Sequence, residues 1–136
     1  MKLDHVGLSV ADLAAAEAWY TAAFGLRVEL RLRVDPVDLD IVMLIHDEHG
    51  YRLELLHRPG GAHAEPAEHP AAEVLRHGFG HCAFGVPDVG LAYRHLLDLG
   101  AKPVMAPGPS PEPGVTMAYV ADPEGNLLEL VSAMGG

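Results

Sequence analysis

Apolar and polar residues alternate in the same way at two places in the chain. Val6, Leu8 and Val10 alternate with His5, Gly7 and Ser9, and Cys82, Phe84 and Val86 alternate with His81, Ala83 and Gly85. A period of two predicts a strand with one covered face. In both copies the covered face is bulky and apolar, with Cys82 on it and expected to be buried and inert. The other face carries a histidine followed by small residues, which leaves room for something other than a side chain. Each strand leads into a helix. Asp12 is placed to cap the first, which runs through Trp19 and Tyr20 to end near Gly25, with those two aromatics packing it on a sheet. Asp88 is placed to cap the second, whose Leu91, Ala92, Leu96 and Leu99 form an apolar stripe ending at Gly100. Three strands then follow each helix: Leu26 to Val34, Leu39 to His46 and Tyr51 to His57 in the first copy, and Ala101 to Met105, Val115 to Ala121 and Asn126 to Ser132 in the second. Asp47 to Gly50 and Asp122 to Gly125 supply the turns before the last strands.

The order strand–helix–strand–strand–strand is therefore written twice, which predicts an α+β fold of two βαβββ modules. Residues 1–58 form the first module, 59–78 a joint with a short helix near its end, and 79–134 the second module. The joint carries three prolines. A second irregular stretch, Ala106 to Gly114, carries four and reads either as a stiff loop shaping a substrate mouth or as an ordinary exposed connection.

The repeat also returns chemistry to fixed places. His5 is followed 49 positions later by Glu54, and His81 is followed 48 positions later by Glu129. The segments from Asp47 to Leu56 and from Asp122 to Val131 share five of ten residues. Both glutamates interrupt apolar sequence, Leu53-Glu54-Leu55 and Leu128-Glu129-Leu130. A buried carboxylate is costly unless a cation or hydrogen bonds compensate it. One histidine or one glutamate in a strand has ordinary structural roles; the paired recurrence points to a divalent metal ion. Two imidazoles and two carboxylates suit Ni, Zn, Co, Mn or Fe. Arg52 shares a face with Glu54 and is a candidate to bind a substrate carboxylate. Arg27, Arg31 and Arg33 read as one solvated face, and the remaining histidines are not expected to be ligands.

Composition narrows the function. The formal net charge is −10, from 9 Lys and Arg against 19 Asp and Glu, so the basic footprint of a nucleic-acid binder is missing. No run of 18 apolar residues predicts a membrane span. The first residues lack the regions of a signal peptide, and Cys82 is the only cysteine, so a cytoplasmic protein is expected.

Asp4-His5-Val6-Gly7-Leu8-Ser9-Val10-Ala11-Asp12-Leu13 and Asp122-Pro123-Glu124-Gly125-Asn126-Leu127-Leu128-Glu129-Leu130 resemble signature segments of the vicinal oxygen chelate superfamily. That family includes glyoxalase I, methylmalonyl-CoA epimerase, extradiol dioxygenases, fosfomycin-resistance enzymes and bleomycin-binding proteins. The resemblance covers nearly the whole chain apart from the joint. It implies modules whose mixed sheet curls around a metal cleft, a homodimer, and a small-molecule substrate. It places the metal ligands on His5, Glu54, His81 and Glu129, the set most like glyoxalase I. The implied activity is a lyase or isomerase acting on two adjacent oxygens through an enediolate, with Glu129 favoured as the proton-carrying base and Glu54 nearly equal. The alternatives are an epimerase, an extradiol-type dioxygenase, a thiol transferase, or a non-catalytic small-molecule or antibiotic binder.

Overall fold

The computed structural model describes residues 1–63, 65, 66 and 68–132. The elements are β1 (Val6–Ser9), α1 (Leu13–Phe24), β2 (Arg27–Val34), β3 (Leu39–Ile45), β4 (Arg52–His57), α2 (Pro70–Glu73), β5 (Cys82–Gly85), α3 (Val89–Asp98), β6 (Lys102–Pro109), β7 (Thr116–Ala121) and β8 (Leu127–Ser132). The chain divides into two compact units, Met1–His63 and Ala64–Gly136. Each unit contains one βαβββ module and its own four-stranded mixed sheet, ordered β1-β4-β3-β2 in the first and β5-β8-β7-β6 in the second. In both, the first strand of the module pairs in parallel with the last, and the remaining pairs are antiparallel. The short helix expected in the joint is α2. The end of the second module, expected at residue 134, lies outside the described residues. Among the described residues, no helix is long and apolar enough to cross a membrane.

Both main helices start and stop where capping chemistry dictates. Asp12 Oδ1 accepts the Ala15 N–H at 2.9 Å, and Asp88 Oδ1 accepts the Leu91 N–H at 3.0 Å. Gly25 ends α1 at φ 65°, a left-handed conformation that costs glycine little. Helix α1 buries Trp19, Tyr20 and Ala23 and packs on β3 and β4. The sheet answers with Val42, Leu44, Leu53 and Leu55, all buried. In the second unit α3 packs on β6, β7 and β8 over Ala118, Val120, Leu128 and Leu130.

Three expectations need correction. The buried side of α3 is Val89 and Leu96, whereas Leu91 and Leu99 are exposed. Leu91 comes two positions after Val89, which turns it about 200° around the helix, to the far side from the Val89–Ala92–Tyr93–Leu96 row. Secondly, the Pro-rich stretch after Met105 is not wholly loop, because β6 continues to Pro109. This strand is at a sheet edge, where a missing N–H breaks no interior ladder, and its pairing with β7 shifts twice, between Pro103 and Met105 and between Met105 and Gly108. Thirdly, Cys82 is only half-buried, although burial still pushes its thiol upward in pKa.

The two turns that precede β4 and β8 differ more than their sequences suggest. Asp122 is 2% exposed; its Oδ1 accepts the N–H groups of Glu124 and Asn126 at 2.9 and 2.8 Å, and its Oδ2 accepts from the Asn126 amide at 2.8 Å. The first turn is one residue longer, with His46 standing between β3 and Asp47. Asp47 is thereby displaced outward and pairs with exposed Arg27 at 2.7 Å. Replacing Asp122 by Ala is expected to cost roughly 2–4 kcal/mol, because several charge-assisted bonds are lost inside the fold. The same change at Asp47 should cost less than about 1 kcal/mol, as for an exposed ion pair. Urea unfolding of the two variants measures the difference.

Candidate metal and proton-transfer site

Cross-strand partners share a face of their sheet, so the register fixes what surrounds each candidate residue. In the first unit Glu54 stands on β4 between Gly7 of β1 and Met43 of β3. The same face carries Ile41 with Leu56, and Ile45 with Arg52. A register shift between Val28 and Leu30 leaves Glu29 as the extra residue of a β-bulge. The bulge reverses the alternation of β2. Leu30 and Leu32 therefore join the Glu54 face, opposite Met43 and Ile41. Arg31 and Arg33 move to the opposite face from Arg27, so the three arginines do not form the single face expected. Arg31 pairs with Glu17 of α1, Arg33 with Asp35, Asp38 and Asp40, and Arg27 with Asp47.

His5 and Glu54 are brought together, with His5 Nε2 3.5 Å from Glu54 Oε1. The other ring nitrogen, Nδ1, donates to Asp4 Oδ2 at 2.7 Å. In the neutral ring this leaves Nε2 with a lone pair facing a carboxylate oxygen, an arrangement that a cation between or beside them resolves. Asp4 itself is held below the usual carboxylate range, first by its hydrogen bond from His5 and also by the nearby Arg52 charge. Arg52 lies beside Glu54 as expected, but its guanidinium is engaged by protein acids. It donates to Asp4 at 2.9 Å and, from Nε and Nη2, to Glu29 Oε1 at 3.1 and 2.6 Å. The bulge that displaces the arginines of β2 thus also presents the carboxylate that orients Arg52.

The second unit repeats the pair in a different setting. Glu129 stands on β8 between Ala83 of β5 and Tyr119 of β7. His81 Nε2 lies 2.9 Å from Glu129 Oε2. The Tyr119 ring meets the His81 ring edge to face, with centroids 5.5 Å apart, on the sheet face of Glu129, its cross-strand partner. Burial, then the negative charge of Glu129, push the Tyr119 phenol up to about 12, so at neutral pH it keeps its proton.

The four candidate residues are thus brought together as two histidine–glutamate pairs, one in each unit. Among the described residues, no group of three or more His, Cys, Asp or Glu is gathered as a metal cluster. Each pair nevertheless fits a divalent cation chemically, since an imidazole nitrogen and a carboxylate oxygen point at each other from a largely apolar sheet face. Three of the other histidines have structural contacts: His57 Nδ1 bonds the Val10 carbonyl at 2.8 Å, His46 Nδ1 accepts the His49 N–H at 3.1 Å, and His69 caps α2. Sequence reasoning missed Asp4, Glu29 and Tyr119. Tyr119 was within reach, because counting outward from the turn at Asp122 to Gly125 sets it opposite Glu129. Glu29 was not, because nothing in an alternating strand marks where a bulge falls.

Comparison with known proteins agrees with this architecture. A probable lactoylglutathione lyase from Synechocystis sp. is 40% identical over 57 residues, covering 42% of this chain and 44% of the relative. A biphenyl-2,3-diol 1,2-dioxygenase 3 from Rhodococcus globerulus is 30% identical over 129 residues, covering 95% of this chain and 62% of the relative. The chain therefore spans less than two thirds of the length of either relative. A solved glyoxylase/bleomycin resistance protein/dioxygenase domain from Frankia sp. EAN1pec superposes with a TM-score of 0.78 at 21% identity, over 98% of both chains. The family pattern described as Glyoxalase/Bleomycin resistance protein/Dioxygenase superfamily matches residues 2–130. With its duplicated βαβββ unit and this match over nearly its whole length, the chain belongs to the glyoxalase/bleomycin resistance/dioxygenase superfamily.

Proposed function

We propose that the protein is a metal-dependent lyase or isomerase of the glyoxalase type, acting on a small substrate with two adjacent oxygens. One observation carries this reading: a histidine–glutamate pair stands at the same register position in each unit, Glu54 opposite Gly7 and Glu129 opposite Ala83. His5, Glu54, His81 and Glu129 are the residues that would hold a divalent ion, with Ni, Zn, Co, Mn and Fe as candidates. When bound, such an ion supplies Lewis-acid stabilisation of charge on the substrate oxygens. The chain supplies the proton transfer. A glutamate oxygen takes the proton from carbon while the C–H electron pair stays on the substrate as an enediolate. The same carboxyl then returns the proton to the neighbouring carbon, so no other reactant is consumed. Met43, Ile41, Leu56, Leu30 and Leu32 line the sheet face around Glu54.

Metal analysis of the purified protein, followed by assay of a hemithioacetal with each reconstituted ion, tests the proposal. Bound metal and ion-dependent product support it; a metal-free protein that stays inactive with every ion overturns it. A second reading, an extradiol-type dioxygenase, is favoured by the longer alignment to the Rhodococcus relative. Two histidines and one carboxylate suffice for that chemistry, and Glu54 adds a further carboxylate to the set. Oxygen-dependent cleavage of a catechol by the ferrous protein, with no turnover of the hemithioacetal, would establish the second reading over the first.

A further inference from the structure

The His5 ring is held from behind. Its Nδ1 donates to Asp4 Oδ2 at 2.7 Å, while its Nε2 stands 3.5 Å from Glu54 Oε1. Asp4 precedes β1 and is mostly exposed, so its side chain needs a further partner to stay at the ring. Arg52 supplies one, since its Nη1 donates to the same Asp4 Oδ2 at 2.9 Å. The guanidinium is braced in turn by Glu29 Oε1, which accepts from Nε at 3.1 Å and from Nη2 at 2.6 Å. Glu29 is the extra residue of the β2 bulge. A chain of contacts therefore runs from the bulge through Arg52 and Asp4 to the back of His5, all of it inside the first unit. The equivalent places in the second unit offer neither charge. Gly80 precedes His81, and Leu127 stands two residues before Glu129, opposite Ala121 as Arg52 is opposite Ile45.

We propose that Asp4 is a positioning residue for His5, and that Arg52, braced by Glu29, is the strut that keeps Asp4 in place. This role rests on the metal-dependent function proposed above. An acceptor at Nδ1 keeps the ring proton on that nitrogen, so Nε2 presents its lone pair toward Glu54, ready for a cation. Without the acceptor the proton can sit on Nε2, where it would point at the carboxylate and take the place of the ion. Arg52 is thereby given a task other than receiving a substrate carboxylate, with three of its five N–H groups committed to protein oxygens. Its charge allows a test by sign. A guanidinium on the Glu54 face repels a divalent ion, so by charge alone its removal would tighten binding. Removing a strut weakens binding instead.

The test uses the metal-free, isotopically labelled protein. Long-range imidazole correlations in NMR at about pH 8.5, where an ordinary imidazole is neutral, read the His5 tautomer. Competition with a chromophoric chelator reads cobalt(II) affinity, and circular dichroism confirms that each variant is folded. The unaltered protein is expected to hold His5 in the Nδ1–H form. Asp4→Ala should lose that preference and bind cobalt about 10-fold or more weakly, the usual effect of removing a group that orients a ligand. Asp4→Asn keeps an acceptor for the ring N–H and should restore the tautomer and most of the affinity. Arg52→Leu should weaken affinity several-fold. An Nε2–H tautomer in the unaltered protein, an unmoved tautomer in Asp4→Ala, or cobalt binding in Arg52→Leu as tight as in the unaltered protein overturns the positioning role and leaves the proposed function standing. An unaltered protein that holds the Nδ1–H form but binds no cobalt overturns the function, and the role with it.

Discussion

Glu54→Gln is expected to lower turnover of a hemithioacetal roughly 10²–10⁴-fold, the range associated with losing a positioned general base. Glutamine keeps the shape and one carbonyl oxygen of the side chain but cannot accept a proton from carbon. The fold should tolerate the change, because Glu54 makes its near contact with His5 rather than with the core, and its neighbours Gly7 and Met43 make no demand on its charge. The loss should therefore fall on kcat, with metal content largely retained. Glu129→Gln is expected to lower turnover as well, through loss of the base or of the metal, since Glu129 meets His81 from the equivalent register position. Steady-state kinetics beside metal analysis of both variants separates the two causes. Undiminished kcat in Glu54→Gln would remove this residue from proton transfer.

Leu55→Ala is expected to destabilise the protein by about 3–5 kcal/mol, near the top of the range for emptying a core position. Leu55 is fully buried at the centre of the first sheet. It stands opposite Leu8 on one side and Val42 on the other, on the face that α1 covers. Strands paired on both sides cannot close readily over the missing atoms, so most of the cavity would remain. Against a typical total of about 5–15 kcal/mol, such a loss is a large fraction of the stability. Leu32→Ala is the contrasting change. Leu32 is half-exposed on the Glu54 face, and its truncation should shift stability by only about 0.5 kcal/mol. Urea midpoints of the two variants decide; equal shifts would mean that Leu55 does not occupy a tightly packed core.

Much of this organisation is legible in the chain because it is periodic or repeated. The alternation around His5 and His81, the caps Asp12 and Asp88, and the recurrence of Glu54 and Glu129 each have a local cause that one sequence displays. Strand ends were located within a residue or so, except for β6. What stayed hidden has causes that operate across strands. The bulge at Glu29 is a property of how β2 meets β3, and it reassigns Leu30, Leu32, Arg31 and Arg33 to faces that simple alternation denies them. The prolines of β6 read as loop because their tolerance depends on the strand being at an edge. The apolar stripe of α3 was misread because Leu91 and Leu99 are as hydrophobic as Leu96, and only the helix's contacts decide which row faces inward. At the site, two pairs alike in sequence differ through Tyr119, Met43, Gly7 and Asp4. The repeat emphasises what is shared and conceals those differences.

The prolines of β6 also act on the world outside the chain. A strand at the rim of a sheet is an open template, ready to recruit the backbone of another molecule and begin a growing ladder. Pro103, Pro107 and Pro109 withhold the amide hydrogens such recruitment needs, and the two irregularities between them bend the rim away from a flat docking line. The segment that looks least like a strand thus guards this margin against fibril-like self-association.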